Sequence, residues 1–517
     1  MSLPASDKLI RRIVIVGGGS AGWMTAASLS KVLGTRNYDI TLIESAEVST
    51  VGVGEATVPP MRLFNEVLGL DENAFMAETG GTIKLGIHFV NWGALKREYI
   101  HPFGFYGSDM DGVNFMHFWL RHARSGGHPD YTRYNVETLA AREGKFARTT
   151  PGDSASMPQV NYAYHFDAGL YAAFLRRFSE TRGAVRVEGH IVKVHQEAEN
   201  GYVTSVELRD GRTIEGDLFV DCSGFRGLLI EQTLKAGYND WSKWLPCNRA
   251  AALPCGNAPG VITPYTRATA HEAGWQWRIP QQHRIGNGYV FCNEFISEDE
   301  ASAKILTRLD GAPHADPKIL RFVTGHRKKM WDKNVVSIGL AAGFLEPLES
   351  TSLHLGQVGI TKLWTLFPKR GLNQTVIDQY NREMTREFND VKDVLVAHYK
   401  ITNREDTPFW KHCKHMEIPD SLKARLESFA VQGQTMVQHG DFFREPSWWA
   451  ILLGQGLMPR DYHPVADAIS LDELKQRLAR IRTGVVERVN SLPSHDDWLA
   501  ANCPAVLPET KRAEIHM

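Results

Sequence analysis

Apolar residues in this chain fall into unbroken short runs, strict two-residue alternation and helical stripes, and the switches between these patterns mark out its elements. Ile13 to Val16 is an unbroken β-branched run, which reads as a strand buried on both faces of a parallel sheet. It enters Gly17, Gly18, Gly19, Ser20, Ala21 and Gly22, and then Trp23, Met24, Ala26, Ala27 and Leu29 at helical spacing. Ile40 to Ile43 repeats the strand pattern and ends in Glu44. Val51 to Pro60 holds Gly and Pro pairs and reads as a loop, followed by short helices over 64–70 and 72–77. Thr82 to Trp92 alternates as one half-buried strand, with Lys84 near its start, where a lone lysine ordinarily faces solvent. The polar, Gly- and Pro-punctuated stretch 123–160 reads as a long irregular excursion.

A helix is expected from Ala168 to Thr181, hairpin-like strands within Val185 to Leu208, and a strand entering a Gly turn over Asp217 to Arg226. In Trp275-Gln-Trp-Arg-Ile-Pro280, alternation places Trp275, Trp277 and Ile279 on one face of a strand that Pro280 ends. Asn334 to Gly343 is another strand and Gly-rich turn, leading to a helix from about Gly356. From about Thr375 the pattern is mainly helical. Ser470-Leu-Asp-Glu473 is a capping box, and Leu471, Leu474, Leu478, Ile481 and Val485 form the stripe of a docked surface helix.

These patterns alternate strand and helix, so the expected class is α/β, with a body over 1–395 and a mainly helical subdomain over 396–517. Composition narrows the function. The 517 residues carry a formal net charge of −1, which gives no electrostatic case for nucleic acid or a membrane surface. Six scattered cysteines without a C-x-x-C pair suit a reducing compartment. With no apolar run long enough to span a membrane and no signal-peptide pattern at the start, a soluble cytoplasmic enzyme is expected. His398, His412, Cys413 and His415 match no zinc spacing, so no metal site is expected.

The chemistry concentrates at two places. Gly17-x-Gly19-x-x-Gly22 between a strand and a helix is the dinucleotide fingerprint in its required context, with Glu44 placed for a ribose hydroxyl. Its helix N-terminus offers free N–H groups to phosphates. Near the second place, Ser350, Thr351 and Ser352 are candidate N-cap hydroxyls of the following helix, whose N-terminus favours an anion. Glu349 would repel that anion unless a cation such as Lys84 lies close.

Gly17-Gly-Gly-Ser-Ala-Gly-Trp23, Trp275-x-Trp277-x-Ile279-Pro280 and Leu345-Glu-Pro-Leu-Glu-Ser-Thr351 together resemble the flavin-dependent tryptophan-halogenase family. The likeness runs through most of the first 360 residues and fades beyond about 430. It implies a Rossmann-type, monooxygenase-like FAD-binding body. It also implies FADH2 supplied by a separate flavin reductase, O2, and chloride or bromide oxidised to hypohalous acid that halogenates a small aromatic substrate. Lys84, in its Lys-x-x-x-x-Phe-Val-Asn-Trp context, matches the family's catalytic lysine; Glu349 matches its catalytic glutamate, and Ser350 the neighbouring serine. Halide is implied at the backbone N–H groups of Thr351 and Ser352; the family usually has Thr-Gly there. Gly339, Leu340 and Leu353 match positions that line the flavin ring, and the loop holding Val53, Glu55 and Ala56, close to the fingerprint, is expected to wrap its backbone round the cofactor.

Trp275, Trp277, Ile279 and Pro280 match the barrier that keeps substrate away from the reacting flavin. His101 and Phe103 match positions that pack on an indole, and Trp448 and Trp449 are further substrate-side candidates. The amino-acid clamp of tryptophan-specific members has no residue-by-residue match in Asp441 to Trp449, which favours indole or a larger indole-bearing or phenolic compound. Two rivals are a flavin monooxygenase that hydroxylates, against which the intact tryptophan motif and Lys84 speak, and a non-catalytic flavin-binding protein. A homodimer is left open.

Overall fold

The computed structural model describes residues 9–47, 54–149, 159–257, 260 and 262–508. Its first layer is a six-stranded sheet centred on Arg12–Val16. That strand pairs in parallel with Asp39–Glu44 on one side and Leu218–Asp221 on the other, with Ile13 opposite both Ile40 and Leu218. Val185–Glu188 and Val335–Ser337 extend the sheet in parallel, and Trp331–Asp332 closes one edge antiparallel. The β-branched run is buried because its neighbours cover both edges and helices such as Ser20–Val32 cover a face. This is the Rossmann-type body expected from the fingerprint. The 185–208 stretch divides: its first strand joins this sheet, and Ile191–Gln196 and Val203–Leu208 form the antiparallel pair.

A seven-stranded sheet forms the second layer, with Gly274–Pro280 between Ile285–Phe291 and Thr266–His271. All seven residues of the tryptophan strand are buried, so both of its faces are covered. Gly288 lies opposite Trp277, and a Cβ there would come within 2.0 Å of the indole, so only glycine leaves room for that ring.

The stretch expected as one strand over 82–92 is two. Thr82–Lys84 joins Gly54–Ala56 and Ala163–Asp167 in a small sheet, whereas Gly86–Val90 joins the large one beside Glu98–Pro102. Leu85 is the joint. Its N–H donates to Pro264 O at 2.8 Å and its carbonyl accepts from Phe103 N at 3.1 Å. Alternation continues through a change of sheet, so periodicity alone could not reveal the break.

The 123–160 excursion is also more regular than expected. Tyr131–Tyr134 forms a 3-10 turn and Val136–Glu143 a helix, capped by Asn135, whose Oδ1 accepts from Thr138 N at 2.6 Å. Buried Glu137 on this short helix hides its apolar face from a hydropathy pattern. In the C-terminal part, Gln374–Lys400 is one continuous helix that crosses the expected boundary at 395. Ser470 caps Leu471–Asn490 by accepting from Glu473 N, and Leu474, Leu478 and Val485 bury that helix's inner stripe. Among the described residues no helix is long and apolar enough to cross a membrane.

Candidate active site

The fingerprint turn has the shape of a nucleotide cradle. Gly17 has a φ of 115°, and a Cβ there would lie 2.3 Å from Cys222 O. A Cβ on Gly22 would lie 1.8 Å from Gly17 O, so the turn and the following helix close only without one. Ser20–Val32 starts at Gly19 with no side-chain cap and no acidic residue in its first turn, leaving its N–H groups for an anion. The turn Gly339–Ala341 lies against it; Gly339 has a φ of 67°, and a Cβ there would sit 2.7 Å from the Ala21 methyl. Leu340 shares that turn, and Leu353 faces partly outward in the first turn of the helix Ser352–Thr365.

Glu44 ends its strand beside Gly18, where its carboxylate accepts from Trp23 Nε1 at 3.2 Å and pairs with Arg186. Glu55 and Ala56 lie on the small sheet, and burial, with Asp167 nearby, pushes Glu55 up to about 7. Val53, with the start of its loop, lies outside the described residues. The open helix N-terminus, the glycine contacts and the acidic strand end fit an FAD pyrophosphate and ribose. Gly22→Val should therefore abolish FAD retention, read as loss of bound-flavin absorbance after gel filtration.

Lys84 is not on a solvated face. It is 0% exposed, and its Nζ donates to Thr57 O at 2.9 Å and to Ser350 Oγ at 2.8 Å. Burial lowers its value from 10.5 to about 7, against the opposing pull of Glu349. The ammonium also lies 5.1 Å from the Phe103 ring centre. In the neutral amine, the two N–H groups match these two acceptors and leave the lone pair uncommitted.

Ser350 reaches Lys84 because its backbone is left-handed, with a φ of 59°. That conformation is uncommon for a side chain bearing a Cβ. The following helix begins at Ser352, a turn earlier than about Gly356, and none of the three hydroxyls caps it. Ser350 Oγ is engaged by Lys84, and buried Thr351 Oγ1 has no partner. The N–H groups of the first turn are thus open to an anion, as the expected halide position requires.

Glu349 is 1% exposed and held from two sides. His101 Nδ1 donates to its Oε1 and Oε2 at 3.0 and 2.9 Å, and His398 Nε2 lies 3.0 Å from Oε1. Burial opposes ionisation, but the two histidines outweigh it and hold the carboxyl down at about 2. Sequence reasoning noticed His398 only as an unconvincing metal candidate. No spacing signal connects it with Glu349, because the contact joins residues 49 positions apart through a long helix.

Trp275 and Trp277 stand 6.1 Å apart by ring centre. Trp275 Nε1 donates at 2.9 Å to Glu346, the first glutamate of the Leu345–Thr351 motif, which also accepts from Tyr399 at 2.5 Å. Burial pushes Glu346 up to about 7 in spite of both donors. Ile279 and Pro280 complete the buried strand, and Pro280 O accepts from Thr82 Oγ1 at 2.7 Å, tying this strand to that of Lys84.

A family model described as Tryptophan halogenase matches residues 12–471. The chain belongs to the tryptophan halogenase family. This flavin-dependent halogenase is 35% identical to a tryptophan 6-halogenase from Streptomyces albogriseolus, over 95% of its own length and 98% of that protein's. It is 34% identical to a tryptophan 7-halogenase from Lentzea aerocolonigenes, covering 87% and 90% of the two chains. Among solved structures, a flavin-dependent halogenase from Xanthomonas campestris superposes with a TM-score of 0.94 at 47% identity, over 97% of this chain and 100% of that one. One from Brevundimonas sp. BAL3 superposes at 0.92 and 42%, covering 96% and 99%.

Of the residues expected on the substrate side, His101 and Phe103 flank Glu349 and Lys84 respectively. Trp448 and Trp449 are fully buried in the helix Glu445–Gln455. Trp449 packs edge-on against His117 and Phe429, and Arg425 lies 4.3 Å over Trp448, so these rings are engaged within the protein. From the same segment it is Phe442 and Phe443 that approach the site. Phe442 stacks on His354, in the first turn of Ser352–Thr365, at 4.0 Å, and Phe443 lies 6.3 Å from His101. Phe442 N donates to Asp390 at 2.8 Å, fixing this loop to the long helix. Both phenylalanines lie in the Asp441 to Trp449 stretch that showed no match to an amino-acid clamp, and neither was singled out in the sequence.

Proposed function

We propose that this halogenase acts on free indole or a larger indole-bearing compound rather than on free tryptophan. In the proposed scheme Thr351 and Ser352 hold the halide, and Lys84, Ser350 and Glu349 are the catalytic group. The observation that carries the catalytic assignment is the buried chain Glu349–Ser350–Lys84, with the lysine bonded to the serine and its value drawn down to about 7. Reduced FAD, when bound, supplies the oxidation of chloride or bromide by O2. Open N–H groups at Thr351 and Ser352 position the halide. The amine of Lys84 receives the hypohalous acid, and burial excludes the water that would hydrolyse it. Phe103 and His101 hold the aromatic ring against these groups, while the tryptophan strand separates it from the flavin. A separate flavin reductase delivers FADH2, and a cytoplasmic setting matches six free cysteines, all buried.

The substrate assignment rests on the segment that would clamp an amino acid. Asp441 accepts from Arg386 at 3.1 Å and from Gln438 N at 2.9 Å, and Glu445 accepts from Asn114 at 3.3 Å. Its acids are occupied within the protein, and the groups nearest the site are the apolar Phe442 and Phe443. With FAD, a reductase, NADH, O2 and bromide, mass spectrometry should show a bromine isotope pair on indole and little on free tryptophan. Product mainly on tryptophan would overturn the substrate assignment, and hydroxylated product would favour the monooxygenase alternative.

A further inference from the structure

Glu44 stands where a negative charge is out of place. It ends the strand Asp39–Glu44 beside the phosphate turn, and a Cβ on Gly18 would lie 1.8 Å from its Oε2. A carboxylate that close to a pyrophosphate repels it unless its charge is offset. Three side chains from three elements converge on it. Trp23, on the helix Ser20–Val32, donates from Nε1 to Oε2 at 3.2 Å. Arg186, on the strand Val185–Glu188, donates from Nε to Oε1. Arg176, on the helix Ala168–Glu180, holds a guanidinium nitrogen 3.8 Å from the same oxygen. The Glu44 carbonyl accepts from Gly189 N at 2.9 Å, so backbone and side chain are both fixed.

The indole contact is not a by-product of burial. Trp119, Trp277 and Trp448 are buried too, and none of their N–H groups finds a partner among the described residues. Trp23 closes the run Gly17-Gly-Gly-Ser-Ala-Gly-Trp23, where helical spacing gave it only an apolar role. Different donors claim the two carboxylate oxygens, which pins the plane of the group. An ionised carboxylate has about four lone-pair sites, so each oxygen keeps one for a hydroxyl.

We propose that Trp23 and Arg186, supported by Arg176, are positioning residues for the adenosine half of FAD. They aim Glu44 at the ribose hydroxyls, and the two guanidiniums offset the charge it brings beside the pyrophosphate. This rests on reading the fingerprint as the FAD site. Cofactor affinity is then set in part at the end of FAD remote from the reacting ring.

The test is the FAD affinity of the full chain, read by titrating flavin fluorescence, with thermal unfolding to check that each variant folds. Trp23→Phe keeps a core ring and removes the N–H. It should weaken FAD roughly tenfold in the wild-type background, but less than about twofold beside Glu44→Ala, where the N–H has nothing to aim. Arg186→Gln should also weaken FAD roughly tenfold. Adding Glu44→Gln, which removes the charge and keeps an acceptor for the ribose, should restore most of that loss. Arg186 is half-buried, so this pair decides the matter if Trp23→Phe folds poorly. A loss from Trp23→Phe that persists beside Glu44→Ala would mark the indole as core packing and overturn the clamp. An Arg186→Gln defect that Glu44→Gln leaves in place would overturn it as well, as would affinities unchanged by any of these substitutions. No FAD binding by wild type would instead overturn the flavin reading, and the clamp with it.

Discussion

Lys84→Met is expected to abolish halogenated product, by at least about a thousandfold, while the protein binds FAD and melts a few degrees higher. Both effects have one cause. The amine is fully buried and its value drops from 10.5 to about 7, so folding must either strip a proton or bury a charge. The sign follows from proton counting. Between pH 7 and 10.5 the unfolded chain binds more protons at this position than the folded one, so stability rises with pH across that window. Below 7 the cost of burial is present in full. Methionine fills similar space without that cost, losing only the bonds to Thr57 O and Ser350 Oγ. Thermal unfolding at pH 6.5, paired with product analysis, reads both effects, and a variant that still halogenates would remove Lys84 from the chemistry. In wild type, the single-turnover halogenation rate should rise with pH through about 7 if the neutral amine attacks the oxidant. It should fall over the same range if the ammonium only donates a hydrogen bond to it.

Glu349→Gln should slow halogenation by about a hundredfold with little change in shape or flavin binding. The glutamine fits the same space and can still accept from His101. It cannot carry the negative charge that two histidines hold at about 2, far below working pH. With that charge gone, the cation formed on the ring loses its nearest buried counter-charge, where low dielectric makes such a loss large. Oxidant formation, followed with a chemical trap for hypohalous acid, should continue. An unchanged halogenation rate would take Glu349 out of the reaction.

The fingerprint, its strand and its helix were legible because local rules govern them: a β-branched run, glycines at fixed positions and a helical stripe. The tryptophan strand was legible through two-residue alternation, and the surface helix after Ser470 through its cap. What stayed hidden depends on contacts between distant residues or on conformations with no composition signal. Alternation across Leu85 concealed a change of sheet. The hydroxyl run 350–352 suggested caps, but Ser350 turns left-handed toward Lys84 and leaves the helix start open. His398 and Phe443 meet the site only through packing of the long C-terminal helix and its neighbours, and nothing local links Glu346 to its partners Trp275 and Tyr399. For the site, the anion-favouring helix start beside Glu349 already called for a nearby cation such as Lys84, and the family resemblance added the roles expected of both.

Leu85 separates two jobs that the chain could have mixed. Lys84, upstream of it, is anchored in the small sheet with Gly54–Ala56, while His101, on the strand paired with Gly86–Val90, belongs to the large one. The two proposed roles, oxidant delivery and ring recognition, therefore rest on different sheets, joined along the chain at Leu85 and across it by the Thr82 Oγ1–Pro280 O bond. On the proposed roles, an engineer seeking new aromatic substrates can vary Phe442 and Phe443 away from the strand of Lys84, whereas Phe103, whose ring lies 5.1 Å from the ammonium, affects both. Changes at Leu85 itself would disturb both at once, which makes it the position to leave alone in a library.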